Sequence, residues 1–259
     1  MGIGGSAANN GVHFMSDNYT AKFVMQKDNT YKIVTEKRLK ITGIRKYVRK
    51  VPIVKGIFSM FTGSRWIAAL ILLSIFEDFV NYNEMMAGND FARLAGAVII
   101  IAVSLACLLY IFIRILRRSK DTWKYHGAEH KTIYAHEHGI ELTLENVRDC
   151  PRIAERCGTN FAVFLALFYF ASYFFIEYYS VRVVLSYVLA YELFDINNGD
   201  KLPVIKLFYK LGYWCQQKIF TREPSDIQIL ASIDTMKKLM ELQNIADAPD
   251  GPAGGGVTG

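Results

Sequence analysis

Cysteine and proline are scarce in this 259-residue chain, which has four and six of them, respectively. The four cysteines form no C-x-x-C pair, so a disulfide-rich scaffold is not indicated. The first twenty residues contain no continuous apolar run, and we therefore expect no secretory signal peptide. No internal repeat is present. With 52% hydrophobic residues, the chain is also neither disordered nor collagen-like.

What the chain does contain is long uncharged runs. Leu94 to Ile113 is twenty residues without a charge, and Thr159 to Ile176 is eighteen. A helix of about 20 apolar residues spans a bilayer. The sequence therefore predicts a mainly α membrane protein with about four transmembrane helices, near 66–82, 94–116, 159–177 and 180–195.

Charge distribution predicts the orientation of these helices. Residues 1–65 carry twelve Lys and Arg against three Asp and Glu, and the stretch 117–158 is also rich in bases near its ends. By the positive-inside rule both stretches, and both termini, lie on the cytoplasmic side of a bacterial plasma membrane. A basic amphipathic segment is expected to contact anionic lipid headgroups, through Lys46, Arg49, Lys50 and Lys55.

The chain divides into six predicted segments. The first has alternating apolar residues on either side of a turn at Asp28-Asn29, which is typical of a β-hairpin. The segments are a cytoplasmic N-terminal β element (1–45), a basic amphipathic segment with spans one and two (46–116), a cytoplasmic loop (117–158), spans three and four (159–195), cytoplasmic amphipathic and C-terminal helices (196–245), and a disordered tail (246–259).

The cytoplasmic loop contains the pattern H-x-x-E-H. On a helix, His126 and His130 face one direction and are able to share a metal, zinc or another divalent ion. Glu129 lies beside that face and is the candidate general base of a hydrolase. The alternative is a structural cluster in which the histidines cap carbonyl groups or bind Glu129.

Two further residues are candidates for a third metal ligand. Cys157 lies beside Arg156 at the start of an apolar helix, where a thiolate is stabilised. Glu192 is an acid near the end of the fourth predicted span, and such acids are usually paired or functional. The sequence does not choose between them.

Several spaced motifs together resemble the bacterial YqhQ-like membrane family, whose members are described as predicted metal-dependent enzymes. The resemblance runs from about residue 4 to residue 240. The motifs are Gly4-Gly5-Ser6-Ala7, Gly11-Val12, Pro52 to Gly56, His126 to Thr132, Leu142 to Arg148, Arg156 to Thr159, Tyr191-Glu192 and Thr221 to Pro224. The resemblance implies a metal site at the His126 motif.

Two positions depart from the family pattern. Ala154 stands where the family commonly has a histidine, and Asn10 where it commonly has a glutamate. Both family residues are potential metal-binding or supporting groups, so the resemblance leaves open a degenerate site.

Two functions are therefore compatible with the sequence. The first is a metal-dependent hydrolase at the cytoplasmic membrane surface. The second is a non-catalytic membrane scaffold, channel or docking protein, in which the His/Glu cluster is structural. The expected partners are the lipid bilayer, a second copy of the chain, or a cytoplasmic protein or ribosome attracted by the basic N-terminal segment. No specific nucleic-acid site is predicted.

Overall fold

The computed structural model divides the chain into two compact units. The first unit comprises Met1–Lys40, Arg118–Ala154 and Tyr213–Gly259, and the second comprises Ile41–Arg117 and Glu155–Gly212. Within them the structure describes residues 3–8, 10–26, 30–38, 47–48, 51–63, 71–72, 74–80, 82, 98, 102, 106, 109–110, 113, 120–196 and 198–247.

The first unit contains a four-stranded antiparallel sheet in the order β1-β2-β3-β4. Its strands are β1 (Gly4–Ala8), β2 (Gly11–Met15), β3 (Tyr19–Met25) and β4 (Tyr31–Lys37). The predicted hairpin corresponds to β3 and β4, which pair from Tyr19↔Lys37 to Met25↔Tyr31. Strands β1 and β2 were not predicted, because the Gly- and Ala-rich β1 lacks the β-branched and aromatic side chains that mark strands.

Two helices of the first unit, α2 (Lys120–Glu137) and α7 (Asp226–Asp247), cover one face of this sheet. The short α3 (Leu144–Asp149) packs against both of these helices. Alternate strand residues such as Phe14, Ala21 and Phe23 are buried with Ile229 and Met236 of α7. Burial of an apolar side chain of this size contributes about 1.5–3 kcal/mol, so this layer supplies the core on which α2 rests.

The second unit is helical in its described part. Its elements are α1 (Val54–Gly63), α4 (Gly158–Ser172), α5 (Tyr179–Asp195) and the first eight residues of α6 (Ile205–Cys215). α4 packs against α5, and α1 packs against α5 as well. Aromatic rings join these helices, with Phe164 5.0 Å from Tyr209 and Phe161 5.2 Å from Tyr187 between ring centroids.

The prediction of a four-span membrane protein in the bacterial plasma membrane is wrong. Among the described residues, no helix has both the length and the apolar composition that crossing a bilayer requires. The run at 159–176 forms only the 15-residue α4, and α5, at the fourth predicted span, is 17 residues long and contains Arg182. Of the other two predicted spans, the structure describes ten residues of 66–82 and six of 94–116.

Arg182 is a buried charged residue within the fourth segment that was predicted to span the membrane. Its side chain is only 4% exposed, yet it is charged. The guanidinium carbon lies 4.4 Å from the Tyr179 ring centroid and 5.1 Å from that of Tyr173. Cation–π contacts with these rings stabilise the charge within the unit, so the apolar and aromatic residues here pack around a cation.

Gly5 of β1 lies directly against α2, and the approach leaves no room for a side chain. A Cβ at Gly5 would lie 2.7 Å from the carboxyl carbon of Glu129, whereas one at Gly4 would meet Met15 Cγ at an ordinary 3.4 Å. Glu129 is 4% exposed, so a side chain at position 5 would force its carboxyl group to shift within a buried site. The contact therefore favours glycine at position 5.

We predict that Gly5→Ala lowers the free energy of unfolding by about 1–3 kcal/mol, the usual cost of overpacking. Gly4→Ala is the matched control and is expected to change it by less than ~0.5 kcal/mol. Chemical denaturation followed by circular dichroism measures both. Equal stability of the two variants would contradict the close packing of β1 on α2.

Candidate metal site on helix α2

The residues of the H-x-x-E-H pattern lie on one face of α2. Positions 126, 129 and 130 are separated by three and four residues, the spacing that places side chains together on a helix. The ring centroids of His126 and His130 are 4.4 Å apart. A ring nitrogen of one lies within 4.8 Å of a ring nitrogen of the other. The predicted pair of metal ligands is therefore brought together.

Both imidazoles are held by backbone carbonyl groups. His126 Nδ1 lies 2.8 Å from the Phe220 oxygen, and His130 Nδ1 lies 2.8 Å from the Arg152 oxygen. A carbonyl oxygen only accepts hydrogen bonds, so each Nδ1 must carry the proton. In a neutral ring the lone pair is then on Nε2. Metal-binding histidines are commonly oriented in this way.

His130 is held in its neutral form by its surroundings. The side chain is 2% exposed. Burial lowers the pKa of His130 to about 3, the neighbouring His126 also lowers this pKa, and the hydrogen bond to the Arg152 carbonyl opposes the change. The imidazole is therefore uncharged at neutral pH, as a metal ligand must be.

Glu129 is buried beside the histidines without a full set of partners. It is 4% exposed, and its Oε2 has no hydrogen-bond partner in the described part of the chain. Burial raises the pKa of Glu129 to about 8. An orphaned carboxylate oxygen is costly, roughly 1–3 kcal/mol or more for a charged group. This destabilising feature occurs at Glu129, the carboxylate that the sequence predicts to be a general base.

An ion-pair network fixes the segments that supply the two carbonyls. Lys131 Nζ lies 2.9 Å from Glu223, and Arg152 Nε lies 3.0 Å from the same carboxylate. The Lys131 ammonium also donates to the carbonyls of Arg148 and Cys150, at 2.5 and 2.9 Å. The lysine is buried, so these partners replace its hydration. Glu223 thereby ties helix α2 to Arg152.

The second carbonyl comes from a π-helical turn, Gln216–Phe220, that follows α6. Beyond the turn, the Arg222 amide donates to the Trp123 carbonyl at 2.9 Å. A Cβ at Gly127 would meet the Arg222 backbone and come within 3.3 Å of Arg152 Cδ, so glycine is favoured there too. This close approach keeps the Phe220 carbonyl in reach of α2.

Two residues that support the site were not among the predicted site residues. Glu223 belongs to the Thr221 to Pro224 motif, which marked its importance but not its partners. Gln216 has no such signal, yet its amide is fully buried and pairs with the Ala154 backbone, accepting at 2.9 Å and donating at 3.0 Å. The position where the family commonly has a histidine is thus fixed through its main chain.

The other departure from the family pattern, Asn10, supports the sheet. Its side-chain amide donates to the Met25 carbonyl at 3.0 Å, and its own carbonyl accepts from the Met25 amide at 2.9 Å. Asn10 therefore fixes the turn between β1 and β2 against the end of β3.

Cys157 lies at the start of α4 in the second unit. It is the N-cap residue, and its sulfur accepts a hydrogen bond from the Thr159 amide at 3.5 Å. The thiol is buried at 5% exposure. Its role as a third ligand stays a prediction.

Glu192, the other candidate third ligand, is engaged within the second unit. Its Oε1 accepts from the Ile53 amide at 2.8 Å, and its Oε2 lies 3.1 Å from Lys55 Nζ. Lys55 also lies 2.6 Å from Asp195, and the hydrogen bond to Asp195 is the main cause that raises the pKa of Lys55. The other predicted lipid-contacting residues, Lys46, Arg49 and Lys50, lie outside the described residues.

The raised pKa of Glu129 predicts a pH dependence of stability in metal-free protein. The folded state keeps the carboxyl protonated up to about pH 8, whereas its ordinary pKa is 4.5. The folded state therefore binds the extra proton, and this contribution to stability is lost as pH rises from 4.5 to 8, with a slope of at most about 1.4 kcal/mol per pH unit.

We therefore expect Glu129→Gln to gain stability relative to wild type as the pH rises through this window. Glu137→Gln, on the exposed side of the same helix, is the control and should track wild type. Denaturant unfolding of chelator-treated protein at pH 5, 6.5 and 8 measures the difference. Parallel curves for Glu129→Gln and wild type would contradict a buried, protonated carboxyl.

Comparisons with known proteins agree with the motifs. The profile of a family described as "Protein of unknown function (DUF1385)" matches residues 18–242. A relative described as "Uncharacterized protein YqhQ", from Bacillus subtilis (strain 168), is 29% identical over 144 residues, which are 52% of this chain and 45% of that protein. The chain thus matches less than half the length of this relative. No solved structure matches the chain. The YqhQ-like resemblance is confirmed, and the chain belongs to the DUF1385 family.

Proposed function

We propose that this chain is a divalent-metal-dependent hydrolase in which His126 and His130 hold the metal and Glu129 is the general base. The observation that carries the proposal is the anchoring of both histidines through Nδ1 to backbone carbonyls, beside a buried carboxylate. A histidine that only packs in a core does not need Nδ1 bonded to a backbone carbonyl. Two histidines that bind one metal through Nε2 do need it, because this bond leaves the lone pair on Nε2.

The residues fit zinc by their chemistry. Imidazole nitrogen is a preferred zinc ligand, and the two rings are close enough to share an ion. The orphaned Oε2 of Glu129 provides a proton acceptor on the same helix face. When bound, such an ion acts as a Lewis acid that polarises the bond to be cleaved.

The part of Glu129 in this proposal is proton transfer. A general base works best when its pKa lies near the operating pH. Burial raises the pKa of Glu129 to about 8 in the metal-free protein. A bound cation beside it would favour the deprotonated carboxylate that a general base requires. The backbone hydrogen bonds and ion pairs around Glu129 hold helix α2 in place during the proton transfer.

Cys157 is our choice for the third ligand. Thiolate sulfur is a common zinc donor, and Cys157 follows Arg152, whose carbonyl holds His130, by five residues along the chain. Both carboxylate oxygens of Glu192 already have protein partners, which makes that residue the weaker candidate.

A structural cluster without catalysis is the competing function, and the burial of the site favours it. Glu129 and His130 are 4% and 2% exposed. Closed sites are typical of structural metal centres or hydrogen-bonded cores, whereas catalytic sites keep a position open to substrate. The carbonyl bonds of the two histidines would then serve stability alone.

Zinc titration by calorimetry tests the proposal. We expect the metal-free wild type to bind one Zn²⁺ per chain, and His126→Ala and His130→Ala to bind roughly a hundredfold more weakly or worse, since loss of a ligand exceeds the usual 10–100-fold effect of a supporting residue. Cys157→Ser should also weaken binding.

His138→Ala is the matched control. His138 makes the same kind of Nδ1 contact, 2.9 Å from the Tyr134 carbonyl, but lies outside the cluster. Its loss should leave zinc affinity unchanged. Absence of zinc binding by wild type, or equal loss in His138→Ala, would contradict the metal site and leave the structural cluster.

A further inference from the structure

A second site of a different kind lies on the outer face of the sheet. A cleft of about 380 Å³ opens there, on the face opposite the helices. Because strand residues alternate between faces, Ser6 points away from α2 when its neighbour Gly5 points toward it. The register pairs Ser6 with His13, His13 with Lys22, and Lys22 with Val34. These four side chains form a row across all four strands.

The polar side chains that line this cleft have no partners among the described residues. Five polar side chains face the cleft, and within the described chain none of them makes an ion pair or a side-chain hydrogen bond. They are Ser6, His13, Thr20, Lys22 and Glu36. Such a set is equipped to bind a ligand, and the volume lies within the range of small-molecule sites, about 300–1,000 Å³.

The charges in the cleft are opposite and separated. Lys22 pairs with Val34 and Thr20 pairs with Glu36, so Lys22 and Glu36 are diagonal neighbours on one face. Diagonal neighbours are about 7–8 Å apart, a separation that long side chains can bridge. In the described residues Lys22 and Glu36 nevertheless form no ion pair, so both charges are available to a small molecule.

His13 lies between the charged residues and responds to both. Burial is the main cause that lowers the pKa of His13, Lys22 and Arg38 also lower it, and Glu36 raises it. The imidazole is neutral at pH 7, and a neutral ring both donates and accepts hydrogen bonds. Arg38, the remaining cation nearby, donates to the Ser16 carbonyl at 2.6 Å.

We propose that this cleft binds a small zwitterion of the α-amino-acid type. Its carboxylate accepts hydrogen bonds from Lys22 and from the hydroxyl of Thr20, the neighbour of Lys22 on the same face of β3, while Ser6 lines the far end of the cleft. Its ammonium group donates to Glu36, and His13 completes the polar contacts. A simple anion leaves Glu36 unpaired beside it, and a simple cation leaves Lys22 unpaired, so neither satisfies the cleft. This inference is independent of the metal site.

Nuclear magnetic resonance titration of the full chain tests the proposal. The probes are the proteinogenic L-amino acids, added singly, with acetate and methylammonium as carriers of one charge only. We expect at least one amino acid to shift the His13 ring resonances and the amides of β2 and β3 with a dissociation constant of 1 mM or below. Acetate and methylammonium should bind at least tenfold more weakly.

Charge-removing variants identify the residues responsible. Lys22→Gln and Glu36→Gln should each weaken binding at least tenfold, while Lys32→Gln, which changes an exposed lysine of β4 outside the cleft, should not. Circular dichroism checks that the sheet is retained. The proposal fails if no amino acid shifts these resonances up to 50 mM, if acetate alone binds equally well, or if Lys32→Gln weakens binding as much as Lys22→Gln.

Discussion

Two hydrogen bonds from histidine rings to backbone carbonyls determine how this site is built. The acceptors belong to Phe220 and Arg152, residues far from each other in sequence. Because a carbonyl accepts only from a protonated nitrogen, the two bonds set the tautomer of both rings as well as their direction. The surrounding contacts serve to hold these carbonyls. Glu223 bridges Lys131 to Arg152, and the Arg222 amide ties the Phe220 segment to α2.

The sheet contributes to the same site by closing it. Gly5 lies so near Glu129 that any side chain there would displace the carboxyl group. This packing helps to bury Glu129, and burial raises the pKa of that glutamate. Burial also lowers the pKa of His130 on the same helix. A polar group without a partner in such surroundings destabilises the fold. The β1–α2 contact therefore contributes both to the fold and to the electrostatics of the site.

The sequence predicts the local parts of this arrangement and not the distant ones. His126, Glu129 and His130 could be placed together because helical spacing alone brings them onto one face. The β3–β4 hairpin could be predicted because apolar and polar residues alternate on either side of a turn. The pairing of Gln216 with Ala154 spans 62 residues and leaves no local pattern. The membrane prediction was wrong because a run without charges, such as that of α4, also fits aromatic packing between short helices.

The tautomers of the two histidines are the most direct test of this account. Long-range ¹H–¹⁵N correlation spectra of metal-free protein with labelled histidine distinguish a protonated Nδ1 from a protonated Nε2. We expect His126 and His130 both to carry the proton on Nδ1 at pH 7, donated to the carbonyl oxygens of Phe220 and Arg152. A proton on Nε2 of either ring would contradict the carbonyl anchoring, and with it the proposed metal site.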